Sequence, residues 1–204
     1  MNLRTSREHP TNPVPSLRRA LLTGALGFSA VSLCVFATVA FGERWMYTHL
    51  GAIGAYLVWT ALFILLGGAV LGSLVNGRWR LPKFYLLYGL AFFVYAAGWI
   101  AAYYGLHGGV GEWIGSLTGS ILMALVFALG FKTTHSTFKF VAILFVTNSM
   151  GYFLGSALND YVAGKAGMLL WGVIYGLFLG AGIGMVLYFA QKETPISMTS
   201  PGSA

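Results

Sequence analysis

The chain has 204 residues, of which 57% are hydrophobic, 16% aromatic and 8% charged, and its formal net charge is +7. Soluble domains carry about 25% charged residues, so this composition cannot cover a water-facing surface. A soluble enzyme, a disordered chain, a coiled coil and a disulfide scaffold are excluded, and the basic charge points to a lipid bilayer rather than to nucleic acid.

Residues 1–16 hold Pro10, Pro13 and Pro15 among polar side chains and predict a disordered cytoplasmic tail. Six apolar runs follow, at 20–41, 50–74, 84–106, 113–131, 140–158 and 168–190, and none contains Asp, Glu, Lys or Arg. About 20 apolar residues cross a ~30 Å hydrocarbon core as a helix. The first run is longer than a cleaved leader's apolar stretch and is expected to be retained. The connectors, 42–49, 75–83, 107–112, 132–139 and 159–167, are short enough to make successive helices antiparallel neighbours. Residues 17–191 therefore predict an all-α, polytopic integral membrane protein, a six-transmembrane-helix antiparallel bundle. Residues 192–204, with Pro195 and Pro201, predict a second disordered tail.

Six crossings put both tails and the 75–83 and 132–139 connectors on one side. That side carries Arg4, Arg7, Arg18, Arg19, Arg78, Arg80, Lys83, Lys132, Lys139 and Lys192, ten of the 12 basic residues. The other side has Arg44 and Lys165, with Glu43, Glu112 and Asp160. Basic loops stay inside, so both termini are expected in the cytoplasm, in a bacterial inner (plasma) membrane.

Small residues let helices approach closely in lipid. Gly172, Gly176, Gly180 and Gly184 form one groove in the sixth run, and Gly111, Gly115 and Gly119 form another in the fourth. Such faces serve packing within the chain or a homo-oligomer seam. Lys83-Phe84 and Lys139-Phe140 open the third and fifth runs alike, which hints at two helical hairpins of similar design.

No ionisable residue lies inside a run, so coupling through a buried carboxylate is not expected. No hydrolase, metalloprotease or phosphate-loop motif occurs, one cysteine (Cys34) and four scattered histidines offer no metal set, and neither cofactor nor catalytic constellation is expected. The best positive signal is a polar face on the fifth run, Asn148, Tyr152, Ser156 and Asn159 at helical spacing. Asn148 falls near mid-membrane, where its amide must find partners. It reads either as glue between helices or as the inner end of a solute path. On the third run Tyr95 and Trp99 belong to an aromatic stripe that could stack on a ligand, or simply fill helix contacts. Arg78, Arg80, Lys83, Lys132 and Lys139 are placed at lipid headgroups. The function expected is transport or binding of a neutral or weakly polar solute. The alternative is a structural or assembly subunit that docks a membrane partner through its glycine faces.

Overall fold

The computed structural model describes residues 14–76 and 80–193, with Arg80 described by its backbone alone. Most of both expected tails, and Arg78, lie outside the described residues. Helix α1, Leu17–Leu22, starts at Ser16, whose hydroxyl accepts the Arg19 N–H at 3.3 Å. A π-helical turn, Thr23–Gly27, leads into α2, Phe28–Leu71, which ends in a 3-10 turn at Gly72–Leu74. Then come α3, Arg80–Leu106; α4, Gly108–Gly130; a 3-10 turn, Thr134–Ser136; α5, Thr137–Val162; and α6, Gly164–Glu193. No strand occurs among the described residues. Five helical stretches are long and apolar enough to cross a membrane: Leu17–Leu74, Leu81–Leu106, Gly108–Gly130, Thr134–Val162 and Gly164–Glu193.

The first stretch counts 58 residues, which laid straight would reach ~87 Å. It is not straight. Gly51 has φ 68° and ψ 177°, a conformation almost confined to glycine, and the helix folds back there. Phe28 consequently stacks on Phe63 with ring centroids 5.7 Å apart, and a Cβ on Gly27 would run into Val70.

The turns differ from the expected connectors. Residues 42–49 are helical, because Thr48 Oγ1 donates to the Arg44 carbonyl at 2.7 Å and His49 Nδ1 meets the Trp45 carbonyl at 2.9 Å. The connectors expected at 107–112 and 159–167 shrink to His107 (φ 55°, ψ 155°) and Ala163 (φ 56°, ψ 167°). Lys192 and Glu193 extend α6 beyond its expected end at 190. Hydropathy marks where an apolar run ends, whereas the backbone reverses at Gly51, His107 and Ala163 because these residues take positive φ.

The three reversals, Gly51, His107 and Ala163, follow one another at intervals of 56 residues. Hydrogen bonding repeats with them. His107 N–H donates to Tyr103 O at 3.0 Å and Ala163 N–H to Asn159 O at 2.7 Å; Gly111 and Gly167 N–H then return to His107 O and Ala163 O at 3.4 and 3.2 Å. Twenty-three residues before each reversal stands a buried phenylalanine, Phe28, Phe84 or Phe140. Twenty after it stands Leu71, Phe127 or Ile183, each 0% exposed. The molecule is three copies of one helical hairpin. The Lys-Phe pairs seen in the sequence belong to the second and third, and the first carries Gly27-Phe28 in register.

The ring of hairpins closes between α6 and the N-terminal arm. A Cβ on Gly176 would lie 2.6 Å from Ser29 Cα, and one on Gly172 would lie 2.6 Å from Phe36 Cβ. Gly180 and Gly184 press on the carbonyls of Gly24 and Ala20, and Ser29 Oγ donates to Val173 O at 2.9 Å. The α6 glycine face, expected to serve either internal packing or an oligomer seam, is filled by the chain's own first arm.

At the end opposite the reversals, polar side chains pin the helices. Gln191 Nε2 donates to Leu74 O at 2.9 Å, and its Oε1 accepts Asn76 N–H at 3.1 Å. Glu193, past the apolar run of α6, takes Lys139 Nζ at 2.9 Å and the Ser136 hydroxyl. These two partners hold the Glu193 carboxyl below its ordinary value. Lys139 also lies over the Phe189 ring at 3.3 Å, so this residue, expected at lipid headgroups, clamps α5 to α6. Lys83 and Lys132 are exposed.

Candidate functional site

The three hairpins differ eight and twelve residues either side of the reversal. In the second, Trp99 and Tyr95 of α3 cover Gly115 and Gly119 of α4: a Cβ on Gly115 would lie 3.2 Å from Trp99 Cδ1, and one on Gly119 would lie 2.7 Å from Tyr95 Cδ2. The third exchanges ring and hole. Trp171 and Tyr175 of α6 cover Gly155 and Gly151 of α5, where a Cβ on Gly151 would lie 3.1 Å from Tyr175 O. The first has side chains on both arms, Glu43 opposite Trp59 and Val39 opposite Phe63. With no glycine to receive a ring, a cavity opens between its arms in the half nearest Gly51, below the contact of Tyr47 with Trp59.

The gap is a cleft of about 340 Å³. Val39, Glu43, Trp59 and Phe63 line it together with Tyr95, Trp99, Trp171 and Tyr175. Every non-glycine residue at the four equivalent positions of the three hairpins therefore faces one space. Tyr47 and Tyr56 meet Trp59 nearly perpendicularly, at 85° and 89°, with centroids 5.9 and 5.5 Å away. Tyr152 bridges Trp99 and Trp171, at 5.4 and 5.5 Å. Glu43 is the one charged residue in the lining and is exposed.

Beneath the cleft lies a buried polar relay. The Tyr95 hydroxyl donates to Asn148 Oδ1 at 2.7 Å and lies 2.8 Å from the Tyr175 hydroxyl. Asn148 Nδ2 donates to Ser116 Oγ at 2.8 Å, and Ser116 pairs with Ser149 at 2.7 Å. Four helices, α3 to α6, are tied together in this way. Asn148 is 0% exposed and satisfied on both ends of its amide, the arrangement a buried amide requires. Two wall residues are different: Trp59 Nε1 and Trp171 Nε1 are buried without a hydrogen-bond partner among the described residues.

The sequence-predicted path residues divide accordingly. Tyr95, Trp99 and Tyr152 line the cleft, and Asn148 touches it through Tyr95. Ser156 and Asn159 are half-buried and lie outside the lining. Gly111, Gly115 and Gly119 pack on α3, with Gly111 against the Tyr103 and Ala102 carbonyls. Sequence reasoning missed Glu43, Tyr47 and Trp59, whereas Trp171 and Tyr175 repeat on the sixth run the aromatic spacing of the third. A signal existed, since Val35, Val39, Glu43 and Tyr47 recur every four residues, but the charge at Glu43 had ended the apolar run.

A second, apolar groove of about 390 Å³ runs between residues 52–60 and α3, lined by Ile53, Leu57, Phe93 and Ala97 among others. Tyr56, Thr60, Ala96 and Ile100 line both spaces, so one layer of side chains separates groove from cleft. Comparison with protein families, with curated proteins and with solved structures finds no match for this chain.

Proposed function

We propose that this chain is an integral membrane protein of six crossings, two from each hairpin, that binds a small solute in the aromatic cleft and serves its transport. The six arms of the three hairpins and the short reversals between them support six crossings. Their even number fits the basic residues gathered at the end away from the reversals, a distribution that supports cytoplasmic termini in a bacterial plasma membrane. Reporters fused after residue 193 and before residue 16 are expected on the same, inner side.

The observation that carries the binding role is the cleft. Ligand sites are concave, mostly apolar and few, with a small number of placed polar groups, and at about 340 Å³ this one falls within the usual range. The Asn148 relay stiffens the floor, and the equivalent space in the other two hairpins is filled by rings seated on glycine. Filling the cleft with Val39→Trp is the direct test. Wild-type protein extracted gently and analysed by native mass spectrometry is expected to carry a small-molecule adduct that the filled variant lacks. Identical spectra from the two proteins would defeat the reading.

An assembly role is the second reading, favoured by the apolar groove beside α3, which has the width for a partner's side chains. Here the same extraction would yield a companion polypeptide in fixed ratio, with no dependence on Val39.

A further inference from the structure

The walls of the two cavities show what the cleft is built to hold. The groove beside α3 is lined mostly by aliphatic residues, which suffice for any neutral apolar body. In the cleft, twelve of the nineteen lining residues are aromatic, and the single charge among them is the carboxylate of Glu43 at the mouth. No Lys, Arg or His lines it. Of the two cations at the same end of the molecule, Lys165 rests 4.5 Å from the Phe41 ring, and neither it nor Arg44 belongs to the wall.

Aromatic faces carry negative potential and attract a positive group brought within about 6 Å, most strongly where water is excluded. Trp59, meeting Tyr47 and Tyr56 at near right angles, and Tyr152, set between Trp99 and Trp171 at 57° and 68°, make concave corners where a rounded group touches several rings. A carboxylate at the rim adds attraction for one positive charge. An anion would be repelled by both features, and a neutral solute would gain from Glu43 at most a hydrogen bond, without the attraction between opposite charges. The reversal end as a whole leans the same way, with three acids (Glu43, Glu112, Asp160) to two bases (Arg44, Lys165).

We infer that the occupant of the cleft is a monovalent organic cation, an ammonium group with an apolar body, its charge caged by Trp59 and the neighbouring rings and drawn in by Glu43. This rests on the cleft being the binding site and departs from the neutral or weakly polar solute expected from sequence, where Glu43 falls in a connector.

The test uses three probes of one shape: benzyltrimethylammonium, the uncharged 2-methyl-1-phenylpropan-2-ol and the anionic phenylmethanesulfonate. Binding to the full chain in nanodiscs is read by indole emission and by thermal shift. The cation is expected to bind at least about ten-fold tighter than the alcohol, equivalent to 1.4 kcal/mol, and the sulfonate more weakly than either. Glu43→Gln, an exposed position whose exchange leaves the fold intact, should weaken the cation roughly three- to ten-fold and leave the alcohol unchanged. Tyr47→Leu should lower cation and alcohol unequally, with the larger loss on the cation. Alcohol binding equal to or better than the cation, with Glu43→Gln inert, would overturn the organic-cation inference and leave solute binding standing. Failure of all three probes to bind wild type while Val39→Trp still changes nothing would overturn the cleft as a site altogether.

Discussion

The first hairpin and its two successors share a reversal geometry, a buried phenylalanine and a spacing, yet only the first stands open. In the second and third, a tryptophan ring on one arm meets a glycine on the other, and which arm carries the ring is free to switch, Trp99 on Gly115 becoming Trp171 on Gly155; Tyr95 likewise seats its ring on Gly119, while Tyr175 meets Gly151 through its backbone. In the first, Glu43 faces Trp59 and Val39 faces Phe63. Closure therefore depends on complementarity across the hairpin, not on the number of glycines: a ring without its hole leaves a cavity between the arms, and the rings of the closed hairpins then wall it. On the proposed reading, solute binding arises where one hairpin lacks what holds the others shut.

The sharpest way to break this comparison is to remove the holes. Gly115→Leu and Gly155→Leu must unseat Trp99 and Trp171 and should each cost about 2–3 kcal/mol, seen as a lower unfolding temperature in detergent with red-shifted indole emission. Leu at the equivalent first-hairpin position, Glu43→Leu, should stay within about 0.5 kcal/mol of wild type. Equal losses at all three positions would show that the hairpins do not differ as described.

Asn148→Leu leaves the Tyr95 and Ser116 hydroxyls each short of a buried partner, for an expected loss of about 1–3 kcal/mol. Ser149→Ala, at the far end of the relay, should cost less, about 1 kcal/mol. If uptake is the role, Asn148→Leu should also abolish it at unchanged expression, because Tyr95 would no longer be held at the cleft floor.

The reversals give a smaller, signed effect. Gly51 suits its backbone, whereas His107 and Ala163 occupy glycine's territory. His107→Gly and Ala163→Gly should stabilise by about 0.5–1 kcal/mol, while Gly51→Ala should destabilise by about 1–2 kcal/mol, all measurable by thermal denaturation.

The smallest effect is electrostatic. Glu193 is held below its ordinary carboxyl value first by the Ser136 hydroxyl and then by Lys139. Such a group adds stability above its unfolded value, and the increment fades as pH falls through the folded one. From about pH 5 downward wild type should lose stability more steeply than Glu193→Gln, a contrast that thermal scans at several pH values would register.

The helical fold was largely legible because lipid demands continuous apolar runs, and five of the long helices correspond to runs the composition outlines. The reversals were less so. Positive φ at His107 and Ala163 has no composition signature, although the glycine after each, Gly108 (φ 60°) and Gly164 (φ 63°), shares the turn, and the polar stretch Glu43–His49 masks a helix that continues to Leu50. Of the site, Tyr95, Trp99, Asn148 and Tyr152 could be found by helical spacing on one element at a time. That Asn148 lies against Tyr95 depends on how α3 and α5 pack, which no single-helix pattern encodes. Trp59 had no distinguishing mark until the 56-residue register aligned it with Gly115.

The seam between α6 and the first arm also constrains how the protein is made. Ser29 and Val173 are 144 residues apart in the chain, so at usual ribosomal speeds the arm enters the translocon on the order of 10–30 s before its mate. Through that interval the small-residue face that α6 will cover, at Ala20, Gly24 and Ser29, waits among lipids and other nascent chains. Insertion factors that shield small-residue faces would have their principal client here, and slowing translation ahead of α6 should lower the yield of assembled protein more than slowing it anywhere else.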